Sequence, residues 1–433
     1  MTLRFGTDGV RAEAFTVLTT DYVAALGRAA AQVLGGGQWL IGRDTRESGP
    51  ALEAAVAAGL AAAGAQPVSA GVVPTPALAW LSAQRGCPAA MITASHNPWR
   101  DNGVKFFAAG GLKLPDDVER AIEAVLQLDA TTPAGVVPSH AAVIEEYVAH
   151  IVGLTRSLSG LRVVLDCANG AMSVAAPAVF RSLGADVAVI HDAPDGRNIN
   201  DHSGATHTAS LAHEVVRCGA QLGLAFDGDG DRVIAIDHLG KVVDGDRLIA
   251  LAALQLREEG ALNRGTVVAT VMSNLGFHKA MTSAGIEVMS TAVGDRYVLE
   301  ALDAGGYSLG GEQSGHVIYR DLATTGDGLL AGARLAQFVH EHHRALAALA
   351  DEVMTSYPQV LVNVRVRQRH PHVAAELAAE IEAAEISLGG DGRILVRASG
   401  TEPLIRVMVE AATASVAQSV ADELAAVVLA RFG

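Results

Sequence analysis

Three aspartates at a two-residue spacing stand in the run Phe226-Asp227-Gly228-Asp229-Gly230-Asp231-Arg232. The apolar residues before them, Leu222, Leu224, Ala225 and Phe226, predict a buried strand that ends where the acids begin. On an extended backbone every second side chain points the same way, so Asp227, Asp229 and Asp231 are expected to converge on one point. Carboxylates gathered there repel unless a cation neutralises them, and an all-oxygen donor set suits a hard divalent ion such as Mg²⁺. A calcium loop does not fit, because Arg232 stands where its glycine is needed and His238 where its final glutamate is needed. The bland alternative is a solvated acidic loop. A metal held by three side chains keeps positions open for water or a phosphate oxygen.

Three further clusters carry chemistry. In Thr93-Ala94-Ser95-His96-Asn97-Pro98, Ser95 follows a buried strand and would emerge at the mouth of a sheet, where ligands usually bind. Ser95 and Asn97 read equally well as turn formers before Pro98. No serine-hydrolase elbow is present, since the segment is not G-x-S-x-G. In Gly310-Gly311-Glu312-Gln313-Ser314-Gly315-His316 a paired glycine precedes groups able to bind hydroxyls, on what reads as a flexible loop; an ordinary turn with a core histidine is the other reading. In Arg397-Ala398-Ser399-Gly400-Thr401-Glu402-Pro403, with Arg406 beyond, two arginines, two hydroxyls and a glycine backbone suit a phosphate, although a hairpin with solvated arginines would look similar.

The elements that must hold these clusters alternate between strand-like and helical patterns over the first three quarters, the mark of α/β layers. Trp39–Ile41 and Ala89–Ile92 read as strands around an Ala-rich helix at 52–63, and residues 131–139 as an irregular connection. A helix is expected at 145–158, strands at 161–166, 186–190, 266–271 and 286–289, and a helix at 327–342. After Tyr357-Pro358, Val362, Val364 and Val366 alternate with polar residues as a half-buried strand, followed by strands near 394–396 and 406–409 and a helix over 415–431. The expected organisation is three mixed α/β domains (1–152, 153–250, 251–358) and a smaller α+β domain (359–433).

The chain has 433 residues and a formal charge of −15, which argues against a nucleic-acid or anionic-membrane partner over most of its exterior. Cys87, Cys167 and Cys218 lack zinc spacing and suit reduced thiols. The start has no apolar signal core, and the charge-free stretch 54–84 is broken by Pro67, Pro74 and Pro76, so a soluble cytoplasmic protein is expected.

Taken together, T-A-S-H-N-P, D-G-D-G-D-R, G-E-x-S-G-H and R-x-S-G-T-E-P-x-x-R, in that order, resemble the α-D-phosphohexomutase family over nearly the full length. R-F-G-T-D-G-V-R at 4–11, D-C-A-N-G at 166–170, A-V-G-D-R-Y at 292–297, G-E-Q-S-G-H and T-T-G-D-G at 324–328 are similar to the branch that interconverts glucosamine 6-phosphate and glucosamine 1-phosphate. Two departures are Ala12 after Arg11, where glycine is expected, and Trp99-Arg100 in place of an aromatic pair. The resemblance implies four domains around one cleft, a homodimer, and a phosphoryl group carried on Ser95. It implies Mg²⁺ on Asp227, Asp229, Asp231 and a phosphoserine oxygen, with Arg11, Lys105, His96 and Arg232 beside them. A hexosamine or hexose 1,6-bisphosphate would be the intermediate and activator. Glu312 and Ser314 would hold sugar hydroxyls, and Arg397, Ser399, Gly400, Thr401 and Arg406 the distal phosphate. Lys105 and His316 would move the hydroxyl proton, with Arg296 assisting. The alternatives are a hexose-general mutase acting on glucose and mannose phosphates, an aspartyl-phosphate phosphatase using Asp227, and a non-catalytic sugar-phosphate binder. A dinucleotide enzyme lacks its third glycine, and three carboxylates would repel a pyrophosphate.

Overall fold

The computed structural model describes residues 3–6, 8–128, 143–399 and 403–433. The connection expected at 131–139, and Gly400 and Thr401, lie outside the described residues.

Short runs of branched and apolar residues form the strands of four sheets. The first contains β1 (Val10–Glu13), β2 (Gly37–Arg43), β3 (Ala65–Val72), β4 (Ala89–Ile92), β5 (Asp101–Ala108) and β6 (Leu112–Lys113), in the order β1-β5-β4-β2-β3 with β6 on β5. The second contains β7 (Arg162–Asp166), β8 (Asp186–Ile190), β9 (Leu222–Phe226), β10 (Val233–Asp237) and β11 (Val242–Val243), in the order β11-β10-β9-β7-β8. The third contains β12 (Thr266–Thr270), β13 (Glu287–Thr291), β14 (Leu309–Gly311) and β15 (Val317–Tyr319), in the order β13-β12-β14-β15. The last contains β16 (Gln359–Arg365), β17 (Arg393–Ala398) and β18 (Leu404–Glu410), in the order β16-β18-β17. The architecture is thus three mixed α/β domains and a smaller C-terminal α+β domain.

The first three sheets share one plan. Parallel strands form the centre, and the chain then turns back antiparallel: β4 into β5, β9 into β10, β14 into β15. Each chemically loaded segment is the turn that makes this reversal, at the carboxyl end of the last parallel strand, where the sheet leaves room for a ligand. The fourth cluster begins on β17, which pairs antiparallel with β18.

Small residues let helices close on the first sheet. A Cβ on Gly59 would fall 1.9 Å from the Ala24 carbonyl oxygen, so helices Gly49–Ala62 and Thr20–Leu34 meet backbone to backbone. Leu26, Leu52, Val56, Trp39 and Ile41, all fully buried, fill the space between them and the sheet.

By contacts the chain divides into two compact units, Met1–Met272 with Ile286–Val353, and Ser273–Gly285 with Met354–Gly433. Helix Leu275–Ser283 groups with the C-terminal strands because the fully buried Glu410 accepts from Leu275 N (2.9 Å), Asn274 Nδ2 (3.2 Å) and Arg393 Nε (3.0 Å).

Two local expectations differ. The helix expected to reach residue 158 spans Val143–Gly153; the Leu158 amide instead donates to the Leu183 carbonyl at 2.7 Å. Gly310 and Gly311 belong to β14 rather than to a flexible loop, because a Cβ on Gly311 would lie 2.4 Å from the His316 carbonyl oxygen across the hairpin.

Candidate active site

The three aspartates converge by a route other than the expected one. The backbone from 227 to 232 is a turn between β9 and β10, not an extended segment. Asp227 Oδ1 accepts from the amides of Gly230 (3.1 Å) and Arg232 (3.2 Å), which curls the chain around that carboxylate. One oxygen from each of Asp227, Asp229 and Asp231 lies within 4.8 Å of the others, and all three residues are buried.

Ser95 meets this loop directly. Its hydroxyl donates to Asp227 Oδ2 at 2.6 Å, and the residue is fully buried. It holds φ = +52°, a left-handed conformation that costs a side-chain-bearing residue about 1–2 kcal/mol. Gly228 makes the approach possible: a Cβ there would sit 2.6 Å from the Ser95 carbonyl oxygen. The Ser95 amide donates to Thr93 Oγ1 at 2.9 Å, and His96 Nδ1 lies 3.4 Å from the Ser95 hydroxyl.

Cations surround the cluster. Lys105 Nζ lies 2.8 Å from Asp8 Oδ2, 3.0 Å from Asp229 Oδ2 and 3.4 Å from Asp231 Oδ2. Burial lowers the pKa of this ammonium, but the three carboxylates outweigh it and hold Lys105 well above its ordinary range. Arg232, 3.9 Å from Asp231 Oδ1, is likewise held charged against its burial by Asp231 and Asp227. Burial and the charges of Asp229 and Asp231 push Asp227 well above the usual carboxylate range. Asp231 falls below it, since Lys105 and His316 outweigh its burial. Burial, then Arg232 and Arg11, bring His96 down to about 4.

A hard cation suits these residues. The Oδ1 atoms of Asp229 and Asp231 are buried without a hydrogen-bond partner, which costs about 1–3 kcal/mol or more for each group unless a ligand such as a metal ion engages it.

His316, on the turn between β14 and β15, lies between Asp231 (3.7 Å) and Asp295 (3.6 Å), and these acids raise its pKa against its burial. In the same turn Glu312 Oε1 accepts from Gly294 N at 3.1 Å, and Ser314 is exposed. Arg11 pairs with Asp8, and its Nη1 donates to the Ala94 carbonyl at 3.4 Å. Arg296 is drawn onto helix Asp116–Val125, where it pairs with Asp116 and, at 2.6 Å, with Glu119. Arg296 and Glu119 border a cavity of about 20 Å³ shared with Asp8 and Lys105, and one of about 390 Å³ that touches neither Ser95 nor the aspartate triad.

The C-terminal cluster is different in kind. Arg397 and Arg406 are cross-strand partners on β17 and β18, and Ser399 N donates to the Leu404 carbonyl at 2.8 Å. Among the described residues neither arginine makes an ion pair, and Arg406 Nε is buried without a partner. Burial and the facing Arg406 lower the pKa of Arg397.

Several residues of the site carry no role in the sequence reading: Asp8 and Asp295, which stand inside the quoted motifs, and Lys113, Thr75, Arg46 and Asn200. Lys113 pairs with Asp8 (3.2 Å) and with Asp295, and Thr75 Oγ1 donates to Asp229 Oδ2 at 2.6 Å. Arg46 and Asn200 both donate to the Ser95 carbonyl at 2.9 Å. Asp44 and Arg46 carried a usable signal, because they follow the buried strand β2 as the aspartate loop follows β9.

Known proteins match this arrangement along the chain. Models of phosphoglucomutase/phosphomannomutase α/β/α domains I, II and III match residues 2–132, 145–240 and 244–357, and the C-terminal domain model matches 361–427. A phosphoglucosamine mutase of Frankia casuarinae is 52% identical, with 98% of this chain and 97% of the relative covered. One of Leifsonia xyli subsp. xyli is 51% identical, covering 99% and 98%. Among solved structures, a phosphoglucomutase/phosphomannomutase family protein from Burkholderia thailandensis is 25% identical with a TM-score of 0.82 over 98% and 97% of the two chains. The N-acetylphosphoglucosamine mutase of Aspergillus fumigatus, in complex with GlcNAc-6P and magnesium, shares the fold with a TM-score of 0.71 at 18% identity, covering 100% and 96%. With all four domain types in order and about half its residues shared with full-length relatives, the chain belongs to the phosphoglucomutase/phosphomannomutase family.

Proposed function

We propose that the chain interconverts glucosamine 6-phosphate and glucosamine 1-phosphate, as an isomerase acting by phosphoryl transfer through phosphoserine 95 and a 1,6-bisphosphate. The observation that carries this reading is the Ser95 hydroxyl 2.6 Å from Asp227, inside a buried triad built for a hard cation, in a chain about half identical to phosphoglucosamine mutases.

Asp227, Asp229 and Asp231, with a phosphoserine oxygen, would hold Mg²⁺, which supplies charge neutralisation for the phosphoryl oxygens when bound. In the forward half-reaction the free sugar hydroxyl attacks phosphorus and the bond from phosphorus to Ser95 Oγ breaks. The hydroxyl proton leaves through a neighbouring base and ends on the freed Oγ. The bisphosphate then reorients, and the reverse transfer from its other phosphate restores phosphoserine. Lys105 and His316 would move that proton, Arg11 and Arg232 would offset charge around the phosphoryl group, and His96, neutral with its pKa brought down to about 4, would hydrogen-bond it. Arg397, Ser399, Gly400, Thr401 and Arg406 would hold whichever phosphate is not reacting. Glu312 and Ser314 would read hydroxyls common to both orientations. The division into 1–152, 153–250, 251–358 and 359–433 assigns one loop to each domain. The same reading makes the working form a cytoplasmic homodimer whose product feeds amino-sugar nucleotide synthesis. No described helix is long and apolar enough to cross a membrane.

Substrate choice rests on the surroundings of C2. Gln313 can accept from an ammonium group but can also bond a hydroxyl, so discrimination of about 1–3 kcal/mol against glucose is expected. Competition kinetics with glucosamine, glucose and mannose 6-phosphates test the proposal. Preference for the amine with a phosphoglucomutase side activity supports it. Equal kcat/KM values, or a preference for mannose, replace it with a hexose-general mutase.

A further inference from the structure

Arg46, which the mechanism above does not use, spends both terminal nitrogens of its guanidinium on the segment that carries Ser95. A guanidinium has five N–H donors in a fixed planar fork. Here Nε donates to Asp44 Oδ2 at 2.9 Å, Nη1 to the carbonyls of Pro98 and Asp101 (2.9 Å for the latter), and Nη2 to those of Ser95 (2.9 Å) and Asn97 (2.8 Å). Four of the five acceptors are therefore carbonyls of residues 95–101. The residue is only 1% exposed, so solvent cannot stand in for it.

Its partner is fixed as firmly. Asp44, fully buried, also accepts from the Arg46 amide (3.1 Å) and from Thr93 Oγ1 (2.7 Å), and Thr93 Oγ1 in turn accepts from the Ser95 amide (2.9 Å). Both peptide groups flanking Ser95 thus lead back to one ion pair at the end of β2. Ser95 needs such holding because its left-handed backbone turns the carbonyl inward while the hydroxyl faces Asp227. Asn200 Nδ2 buttresses the same carbonyls from the second domain, 2.9 Å from Ser95 O and 3.2 Å from Asn97 O.

We propose that Arg46 is the positioning residue of phosphoryl transfer: by collecting the carbonyls of residues 95, 97, 98 and 101 it fixes where Ser95 Oγ sits over the aspartate triad. The proposal rests on the mutase reading for its activity readout. A lysine cannot replace it, since three donors on one nitrogen cannot span four carbonyls and Asp44.

The test compares Arg46→Met and Arg46→Lys with wild type in a coupled mutase assay, with thermal melts and intact mass for phosphoserine. A small misplacement of a reacting group costs about 10²-fold, so kcat of Arg46→Met should fall by about that factor. KM for glucosamine 6-phosphate should stay within about threefold, because the sugar-phosphate contacts lie elsewhere. Guanidinium chloride, below the concentration that unfolds the variant, should restore part of kcat by supplying the missing donors. A folded Arg46→Met with kcat within about twofold of wild type overturns the proposal. So does a loss that guanidinium leaves unmoved and that follows the fall in Tm. If Arg46→Met does not fold, Arg46→Lys decides by the same split between kcat and KM. A wild type inert on every hexose phosphate refutes the mutase reading instead, and Ser95 phosphorylation by a hexose 1,6-bisphosphate then reads the positioning role.

Discussion

The aspartate centre and the C-terminal arginine pair handle charge in opposite ways. Around Ser95, Asp8, Asp229 and Asp231 share Lys105, while Lys113 joins Asp8 to Asp295. Asp8, Asp229, Asp231 and Asp295 each have a cation within reach, Asp227 makes no ion pair among the described residues, and one oxygen each of Asp229 and Asp231 remains unmet. At β17 and β18 two arginines face one another with no acid paired to either among the described residues. A site that neutralises itself apart from a gap for one cation is built to hold fixed geometry while a phosphoryl group moves. A site left with like charges is built to be completed by an incoming anion. The first should govern turnover, and the second should govern binding.

The largest effect should come from breaking the compensated centre. Asp229→Ala removes an orphaned oxygen as well as the partner of Lys105 and Thr75, and should lower kcat by about 10³-fold or more while sugar-phosphate affinity changes far less. Steady-state kinetics beside calorimetric titration of glucosamine 6-phosphate would separate the two. Full activity in excess chelator would remove the metal from the account.

A second test asks what happens to a buried acid with no cation. Asp327 caps helix Gly328–His342 and accepts from Tyr147 OH (2.8 Å to each oxygen) and from Leu330 N (2.9 Å), all neutral donors. Burial, opposed by these donors and by the Leu329 amide, raises its pKa from 3.8 to about 6. A raised carboxylate pKa means the folded state binds the proton more tightly than the unfolded state. Its contribution is therefore most favourable below about pH 4 and is lost as pH rises through about 6, a change of ~3 kcal/mol. Asp327→Asn lacks this titration. The stability of the variant relative to wild type should climb across that window in parallel thermal melts, whereas a constant difference would mean that folding leaves the Asp327 pKa unshifted.

The arginine pair should give the smallest and most selective effect. Arg406→Ala should raise KM by about tenfold with kcat changed by less than about threefold, because a distal phosphate is held equally in ground and transition states. Dephosphorylated enzyme should also accumulate during turnover, since bisphosphate escapes a weakened cradle. Unchanged calorimetric binding of sugar phosphate would place the distal phosphate elsewhere.

What the sequence revealed follows the same division. The Ser95 and aspartate segments were legible because each follows a run of buried apolar residues, Ala89–Ile92 and Leu222–Phe226, which marks the carboxyl end of a strand whatever its partners are; the other two were legible from their residue types. Their three-dimensional assembly was less so. The aspartates looked as though an extended backbone would align them, but amides of Gly230 and Arg232 curl the loop around Asp227. Asp8, Lys113 and Asp295 come from three separate segments, and no local spacing announces a network joined only by tertiary folding. Arg46 lay closer to view, yet a charged residue after a strand reads as solvated until its acceptors are known. Helix Leu275–Ser283 joins the C-terminal unit through Glu410, a partner 135 residues away from Leu275.

Ser95 as the phosphoryl carrier is tested most directly by mapping the phosphoryl group on protein recovered from turnover with glucosamine 6-phosphate and a hexose 1,6-bisphosphate. Acid-stable phosphate on the peptide containing Ser95, absent from Ser95→Ala together with activity, is the predicted result. Acid-stable phosphate is what a serine ester gives, whereas an alkali- and hydroxylamine-labile phosphate on Asp227, with turnover surviving in Ser95→Ala, would contradict the account and make the chain an aspartyl-phosphate enzyme.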